Sequence, residues 1–131
     1  DSSFIVMNGA ESVHYDAVIA DTLTFSPDSR HWAYAALYMG NAFVVVNGKP
    51  LVAHHEIFGH SVKFSPDGKH IVYAGRKGNE SFVSVDGNIT FRFDAILQSD
   101  DELIKFSDQD KFHYLGREGM KIYNVEESIS E

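Results

Sequence analysis

The chain has 131 residues, with 11 Lys and Arg against 19 Asp and Glu, a formal net charge of −8 and no Cys. This acidic balance, with its basic residues scattered, disfavours nucleic acid and anionic membranes, because phosphate contacts need clustered Lys and Arg. The lack of Cys excludes disulfides and thiolate metal sites. No apolar run is long enough for a membrane-spanning helix. We expect one folded domain over residues 1–131.

Short β-segments recur about every 39 residues along the chain. The segment Phe25–Tyr34 (FSPDSRHWAY) returns as Phe64–Tyr73 (FSPDGKHIVY), and a weaker third copy begins at Ile104. A repeat of this length, rich in β-forming residues, indicates β-propeller blades. The predicted strands, grouped by their position in the repeat, are Leu23–Ser26, Val62–Ser65 and Ile104–Ser107; His31–Tyr38, His70–Ala74 and Phe112–Leu115; Phe4–Met7, Phe43–Val46, Phe82–Val85 and Lys121–Val125; and the outer segments Ser12–Val18, Leu51–Ile57 and Ile89–Ile96.

The connections between these segments carry turn signals. Pro-Asp turns at 26–29 and 65–68 suit tight hairpins, because Pro presets φ and Asp can bond nearby backbone. Asn47-Gly48 and Asp86-Gly87 favour the primed turns whose twist matches paired strands. The strand Phe43–Val46 is apolar at every position. That pattern predicts a strand covered on both faces.

The Pro-Asp turns, the strand-turn segment Phe43–Gly48 and the segments Tyr15–Ala17 and Phe93–Ala95 together resemble the repeats of TolB-type bacterial β-propellers. The resemblance spans Phe4 to about Val125. It implies an all-β fold with blades of four antiparallel strands, and approximate repeats at 23–61, 62–102 and 103–125, with residues 4–22 completing a blade. Propellers of this family bind proteins or peptides, or form the non-catalytic part of larger enzymes. No catalytic motif carries over, because the shared residues are structural. The bacterial periplasm and the cytoplasm are both compatible compartments.

Counting strands gives about three blades, with one blade split between the termini. An open wedge of three blades would leave two apolar faces in water. We therefore expect a homodimer in which two half-rings close a six-bladed ring and complete the split blade by strand exchange. The alternatives are a fragment of a longer propeller and a regulatory propeller of a larger enzyme. The start at Asp1 rather than Met predicts a processed or excised product.

The segment His54-His-Glu-Ile-Phe-Gly-His60 resembles a zinc peptidase motif only superficially. That motif needs two His four residues apart on one helical face. His55 and His60 are five apart, with Gly59 between them, and the repeat places the segment on a strand and a loop. We expect no catalytic metal site and no cofactor. Three exposed imidazoles at this point would bind a divalent metal only adventitiously.

One position differs in charge among the three repeats, with Asp21, His60 and Glu102 leading into the innermost strand. In a propeller this position lies at the rim of the central channel, where Thr24, Lys63 and Lys105 would line the interior. The three titratable residues predict a site for a cation or a basic peptide, which His60 would make pH-responsive. The alternatives are solvated loop residues, or a hydrolase or lyase site built from the same three side chains. Because the sequence holds no nucleophile signature or phosphate loop, we predict a non-enzymatic binding module.

Overall fold

The computed structural model of the chain describes residues 4–7, 9–11, 14–98 and 102–129, without the side chains of Met7, Ala20 and Asp21. Apart from a 3₁₀ helix at Gly59–Ser61, every regular element of these residues is a β-strand. The strands are β1 (Val6–Met7), β2 (Ala10–Glu11), β3 (Ala17–Phe25), β4 (Trp32–Tyr38), β5 (Asn41–Val46), β6 (Lys49–Pro50), β7 (Glu56–Ile57), β8 (Lys63–Phe64), β9 (Ile71–Lys77), β10 (Glu80–Val85), β11 (Asn88–Phe93), β12 (Ala95–Leu97), β13 (Lys105–Phe106), β14 (Lys111–Glu118) and β15 (Lys121–Ser128). The prediction of an all-β chain is confirmed for the described residues, among which no sheet closes on itself.

Three antiparallel sheets follow one pattern. Sheet I has the order β3-β4-β5-β6, sheet II has β11-β10-β9 with β7 and β8 both paired to β9, and sheet III has β15-β14 with β12 and β13 both paired to β14. The sheets begin at Ala17, Glu56 and Ala95, which are 39 residues apart. Each sequence repeat therefore corresponds to one sheet, while β1 and β2 form a separate hairpin.

The first strand of each sheet is interrupted, and this corrects one assignment made from the sequence. Leu51–Ile57 was predicted to be an outer segment of the preceding unit, but its last two residues form β7 at the edge of β9 in sheet II. β8 pairs further along the same edge of β9. The strands on the two sides of the interruption, β7 and β8, thus pair with the same strand, β9. Each sheet therefore begins before the corresponding sequence repeat begins.

Sheet II is buried on both faces. Side chains of β9 alternate, so Ile71 and Tyr73 pack in the core shared with sheet I, and Val72 and Ala74 pack in the core shared with sheet III. This alternation is the two-residue period of a strand. The three sheets are therefore stacked in chain order.

The apolar segment Phe43–Val46 of β5 has a buried valine on each face. Val44 packs in the core between sheets I and II, and Val45 packs on the opposite face with Tyr34. Neither valine is exposed to solvent. Burying each side chain contributes roughly 1.5–3 kcal/mol, whereas Phe43 and Val46 at the ends of the segment are half-buried.

The turns form as their residues predict. Asn47 and Gly48 have φ of 52° and 84°, and Asp86 and Gly87 have φ of 52° and 91°, as primed hairpin turns require. In the first Pro-Asp turn, the Ser26 hydroxyl and the Arg30 amide both donate to Asp28 Oδ1. The Ser26 hydrogen bond, followed by that of the Arg30 amide, lowers the pKa of the Asp28 carboxyl.

The outer face of sheet III is more polar than its counterpart in sheet II. Backbone pairing matches Val72, Val83 and Val85 of sheet II with His113, Asn124 and Glu126 of sheet III. Val72 and Val83 are fully buried against sheet III, whereas Asn124 and Glu126 are exposed. A sheet of the same kind packed on this face would have to bury an amide and a carboxylate.

No helix among the described residues has both the length and the apolar character needed to cross a bilayer.

Candidate functional site

The structure distributes the three predicted rim residues over the three sheets. Asp21 lies in β3 of sheet I, with its side chain outside the described part. His60 is exposed in the 3₁₀ helix that interrupts the first strand of sheet II. Glu102 precedes β13, and its Oε1 lies 3.0 Å from Nζ of Lys63 in β8. The site is therefore described at two of its three positions.

In sheets I and II, the residue after the rim residue carries a hydroxyl that stabilises the interruption of the first strand. Thr22 Oγ1 accepts the amide of Ala35 at 2.7 Å, and Ser61 Oγ accepts the amide of Ala74 at 2.8 Å. These hydroxyls replace a strand partner, so the rim residue can turn out of the sheet without leaving a buried amide unsatisfied. In the third repeat Leu103 takes this place and packs against the core between sheets II and III.

His60 borders a cavity of about 340 Å³, whose lining also includes Glu56, Phe58, Ile96 and Leu103. The lining therefore comes from both sheet II and sheet III. The Lys63–Glu102 pair also joins the two sheets, with side chains 26% and 40% exposed. Exposed pairs of this kind contribute about 0–1 kcal/mol. Because Glu102 already has a cationic partner, a basic ligand would have to compete with Lys63 for it.

The segment His54–His60 is divided between the core and the surface. His54 is 6% exposed, its Nε2 lies 2.8 Å from the Tyr73 hydroxyl, and its ring lies 4.5 Å from that of Phe82. The expectation of three exposed imidazoles is therefore wrong for His54. Burial, and then the charge of Lys77, lower its pKa. In the described part of the chain, no group of three or more His, Asp and Glu side chains is arranged to hold a metal ion.

The repeat explains why His54 is buried. Each sheet is preceded, two residues before its first residue, by one of three residues: Tyr15, His54 and Phe93. They are 39 residues apart and so occupy one position of the repeat, and all three are buried. Each ring makes an edge contact with a tyrosine in the middle strand of a sheet. The ring centroids are 6.4 Å apart for Tyr15 and Tyr34, 5.4 Å for His54 and Tyr73, and 6.1 Å for Phe93 and Tyr114. His54 thus fills an aromatic core position.

The next residue in each repeat is an acceptor for a hairpin turn. Asp16 Oδ2 accepts the amide of Met39 at 2.8 Å, His55 Nδ1 accepts that of Gly78 at 2.9 Å, and Asp94 Oδ2 accepts that of Gly119 at 2.7 Å. The Tyr-Asp-Ala and Phe-Asp-Ala segments at 15–17 and 93–95 align with His54-His-Glu56 at the 39-residue period. That alignment would have identified both residues as parts of the repeat.

An aromatic cavity lies on the outer face of sheet I. It has a volume of about 280 Å³ and is lined by His14, Tyr15, Tyr38, Phe43 and Pro50. Tyr38 is 45% exposed, whereas Tyr15 is buried. Burial and the neighbouring Tyr34 hydroxyl raise the pKa of Tyr15, so its hydroxyl is neutral at physiological pH. Apart from the His14 imidazole, which lies 3.3 Å from Glu11 Oε1, the cavity therefore presents uncharged aromatic surface to solvent.

No protein-family model matches this chain, and no curated protein matches it with significance.

Proposed function

We propose that this chain is a non-catalytic module of the TolB-like β-propeller type, and that it binds a partner protein through the outer face of sheet I. Two features support the propeller part: the strand order shared by the three sheets and their face-to-face stacking at one sheet per 39 residues. Propeller blades are four-stranded sheets packed in this manner. Sheet III supplies three of the four strand positions, and the β1–β2 hairpin corresponds to the third and fourth positions, as its 39-residue offset from the paired ends of β5 and β6 indicates.

The aromatic cavity on sheet I carries the binding part of the proposal. Tyr and Phe side chains around a concave apolar surface are the features that most often dominate protein interfaces. Here Tyr38 and Phe43 border the cavity beside Pro50. The partner is a protein segment that inserts an aliphatic or aromatic side chain between these rings.

Binding of short extended peptides to the full chain, followed by NMR, tests this function. Peptides with a central Leu, Phe or Trp are expected to shift the signals of Tyr15, Tyr38 and Phe43, and Tyr38→Ser should weaken binding about tenfold or more. Met120→Ser is the matched control, because Met120 is fully exposed and distant in sequence. Equal binding by both variants, or no shift at the cavity, would refute the proposed function.

The six-bladed ring of two copies is a proposal about assembly. Such a ring would pack the outer face of sheet III of one copy on the outer face of sheet I of the other. His113, Asn124 and Glu126 would then face aromatic side chains, and burying an unpaired carboxylate costs several kcal/mol, by order of magnitude. A sedimentation mass of twice the 14.7 kDa chain would favour the ring. A monomer at every concentration would exclude it while leaving the aromatic cavity available to other partners.

A further inference from the structure

The second repeat has no carboxylate at a position that the other two repeats keep acidic. The residue that accepts the hairpin-turn amide is Asp16 in the first repeat and Asp94 in the third, but His55 in the second. Before that turn, at the end of the middle strand, sheet III has Glu118 and sheet II has Lys77. Sheet III thus carries two carboxylates at this site, where sheet II carries an imidazole and an ammonium group.

Both groups in sheet II are available to a ligand. His55 Nδ1 accepts the Gly78 amide, so the proton of the neutral ring is on Nε2, which is then a free donor. Lys77 has no carboxylate within ion-pair distance among the described residues, although Glu80 is its pairing partner across the hairpin. Its charge also contributes to the lowered pKa of His54, which indicates that Lys77 lies near both imidazoles.

These groups border a groove between sheets I and II. The groove has a volume of about 450 Å³, and its polar lining consists of Asn41, His54, His55, Lys77 and Asn88. No Asp or Glu lines it, although the chain has 19 acidic residues against 11 basic ones. His54 at the same wall is held by Tyr73 in the core, so this wall of the groove is preorganised. Amide, imidazole and ammonium donors without a competing carboxylate suit an anionic group.

We propose that this groove binds the carboxylate of an acidic peptide segment, with Lys77 and His55 Nε2 as its donors. The Asn41 and Asn88 side chains would take further hydrogen bonds from the peptide, and Val52 and Ile89 would contact its apolar parts. This is a second binding site on the module, and it does not depend on the aromatic cavity of sheet I.

The chain itself supplies the variant that tests the groove. The double substitution His55→Asp and Lys77→Glu installs the Asp94 and Glu118 pair of sheet III. Asp at residue 55 can still accept the Gly78 amide, as Asp94 accepts that of Gly119. The fold is therefore expected to survive, which the NMR spectrum reports directly. Lys121→Glu removes an exposed lysine of sheet III with the same change of charge as Lys77→Glu and serves as the control.

The probes are a Glu-rich extended peptide, the same peptide with Gln in place of Glu, and inorganic phosphate. The Glu peptide is expected to shift the signals of His55, Gly78 and Asn88, and to bind the double variant about tenfold or more weakly, which corresponds to about 1.4 kcal/mol. Lys121→Glu should bind it as the parent chain does. The proposal would be overturned if the Gln peptide bound as tightly as the Glu peptide, or if the double variant bound the Glu peptide with unchanged affinity. It would also be overturned if phosphate shifted these signals and the Glu peptide did not. Shifts at Tyr38 and Phe43 report separately on the aromatic cavity, so the two proposals can fail independently.

Discussion

Sheets II and III are built on one template but have different surroundings. Sheet II packs between two neighbours, and its β10 residue Val83 is fully buried, whereas the matching Asn124 of β15 is exposed. Both strands pair in the same antiparallel register with the middle strand of their sheet, although β10 also pairs with β11 on its other edge. The comparison teaches that backbone pairing and turns define the sheet, while the apolar content of a strand follows the number of faces that are covered.

Exchanging residues between the two sheets should give the largest effect. Val83→Asn would lose a buried apolar side chain and place an amide without an assured partner in the core, so we expect unfolding to require about 4 kcal/mol less. Asn124→Val, at the matching exposed position, should change the free energy of unfolding by less than about 0.5 kcal/mol. Urea denaturation of both variants measures the difference. Similar losses in the two variants would contradict the unequal burial of the faces.

Two glycines sharpen the comparison at the interrupted strand. A Cβ at Gly75 would collide with the carbonyl oxygen of Glu56 and lie 2.7 Å from the Phe82 ring, whereas one at Gly116 would meet ring atoms of Phe93 at 2.8 Å. Moving the Glu56 carbonyl would disturb the backbone of β7, whereas at Gly116 only the side chain of Phe93 has to shift. Gly75→Ala should therefore cost about 3 kcal/mol and Gly116→Ala about 1–2 kcal/mol. Thermal unfolding of the two variants checks the order, and a smaller loss at Gly75 would contradict it.

His54 and Phe93 occupy the same position of the repeat, but only His54 should make the stability of the fold depend on acid. The pKa of His54 is lowered from 6.5 by burial and then by Lys77, so the folded state disfavours its imidazolium. The free energy of unfolding that depends on His54 is thus fully present above pH 6.5 and is lost as the pH falls through the lowered pKa. His54→Phe should flatten this dependence, at a cost of about 1–2 kcal/mol at neutral pH because the Tyr73 hydroxyl loses its partner.

The converse change is at Phe93, the last residue of β11. Phe93 fills the matching slot and contacts the rings of Tyr114 and Tyr123, so Phe93→His should introduce a loss of stability in acid. Chemical denaturation at a series of pH values compares the three proteins. If the parent chain and His54→Phe lose stability equally between neutral and mildly acidic pH, the buried imidazole is not the source of the acid response.

Local features could be predicted from the sequence because they depend on few neighbours. Asn47-Gly48 and Asp86-Gly87 adopt positive φ, since only such residues tolerate that backbone region cheaply. The apolar run of β5 likewise reports that both of its faces are covered.

The environment of the candidate sites could not be predicted in the same way. The burial of His54 depends on Tyr73 and Phe82, which are distant in sequence. A polar residue such as His gives no indication that aromatic side chains surround it in the fold. Glu102, which precedes β13 of sheet III, is engaged by Lys63 of sheet II, and the spacing of the repeat does not imply this contact between sheets. The cationic groove depends on Asn41 and Asn88 meeting His55 and Lys77 across two sheets.

The Pro-Asp turns give the smallest expected effect. In sheet II the Ser65 hydroxyl donates a hydrogen bond to Asp67 Oδ1 and accepts one from the His70 amide at 3.1 Å. Ser65 is fully buried. Ser65→Ala should cost about 1 kcal/mol. The matching Ser107 of sheet III is exposed, in a turn without Pro or Gly, so Ser107→Ala should cost less than about 0.5 kcal/mol. Denaturant midpoints measured on the two variants separate these values. Equal losses would mean that the third turn is held by its serine as firmly as the second, despite its different sequence.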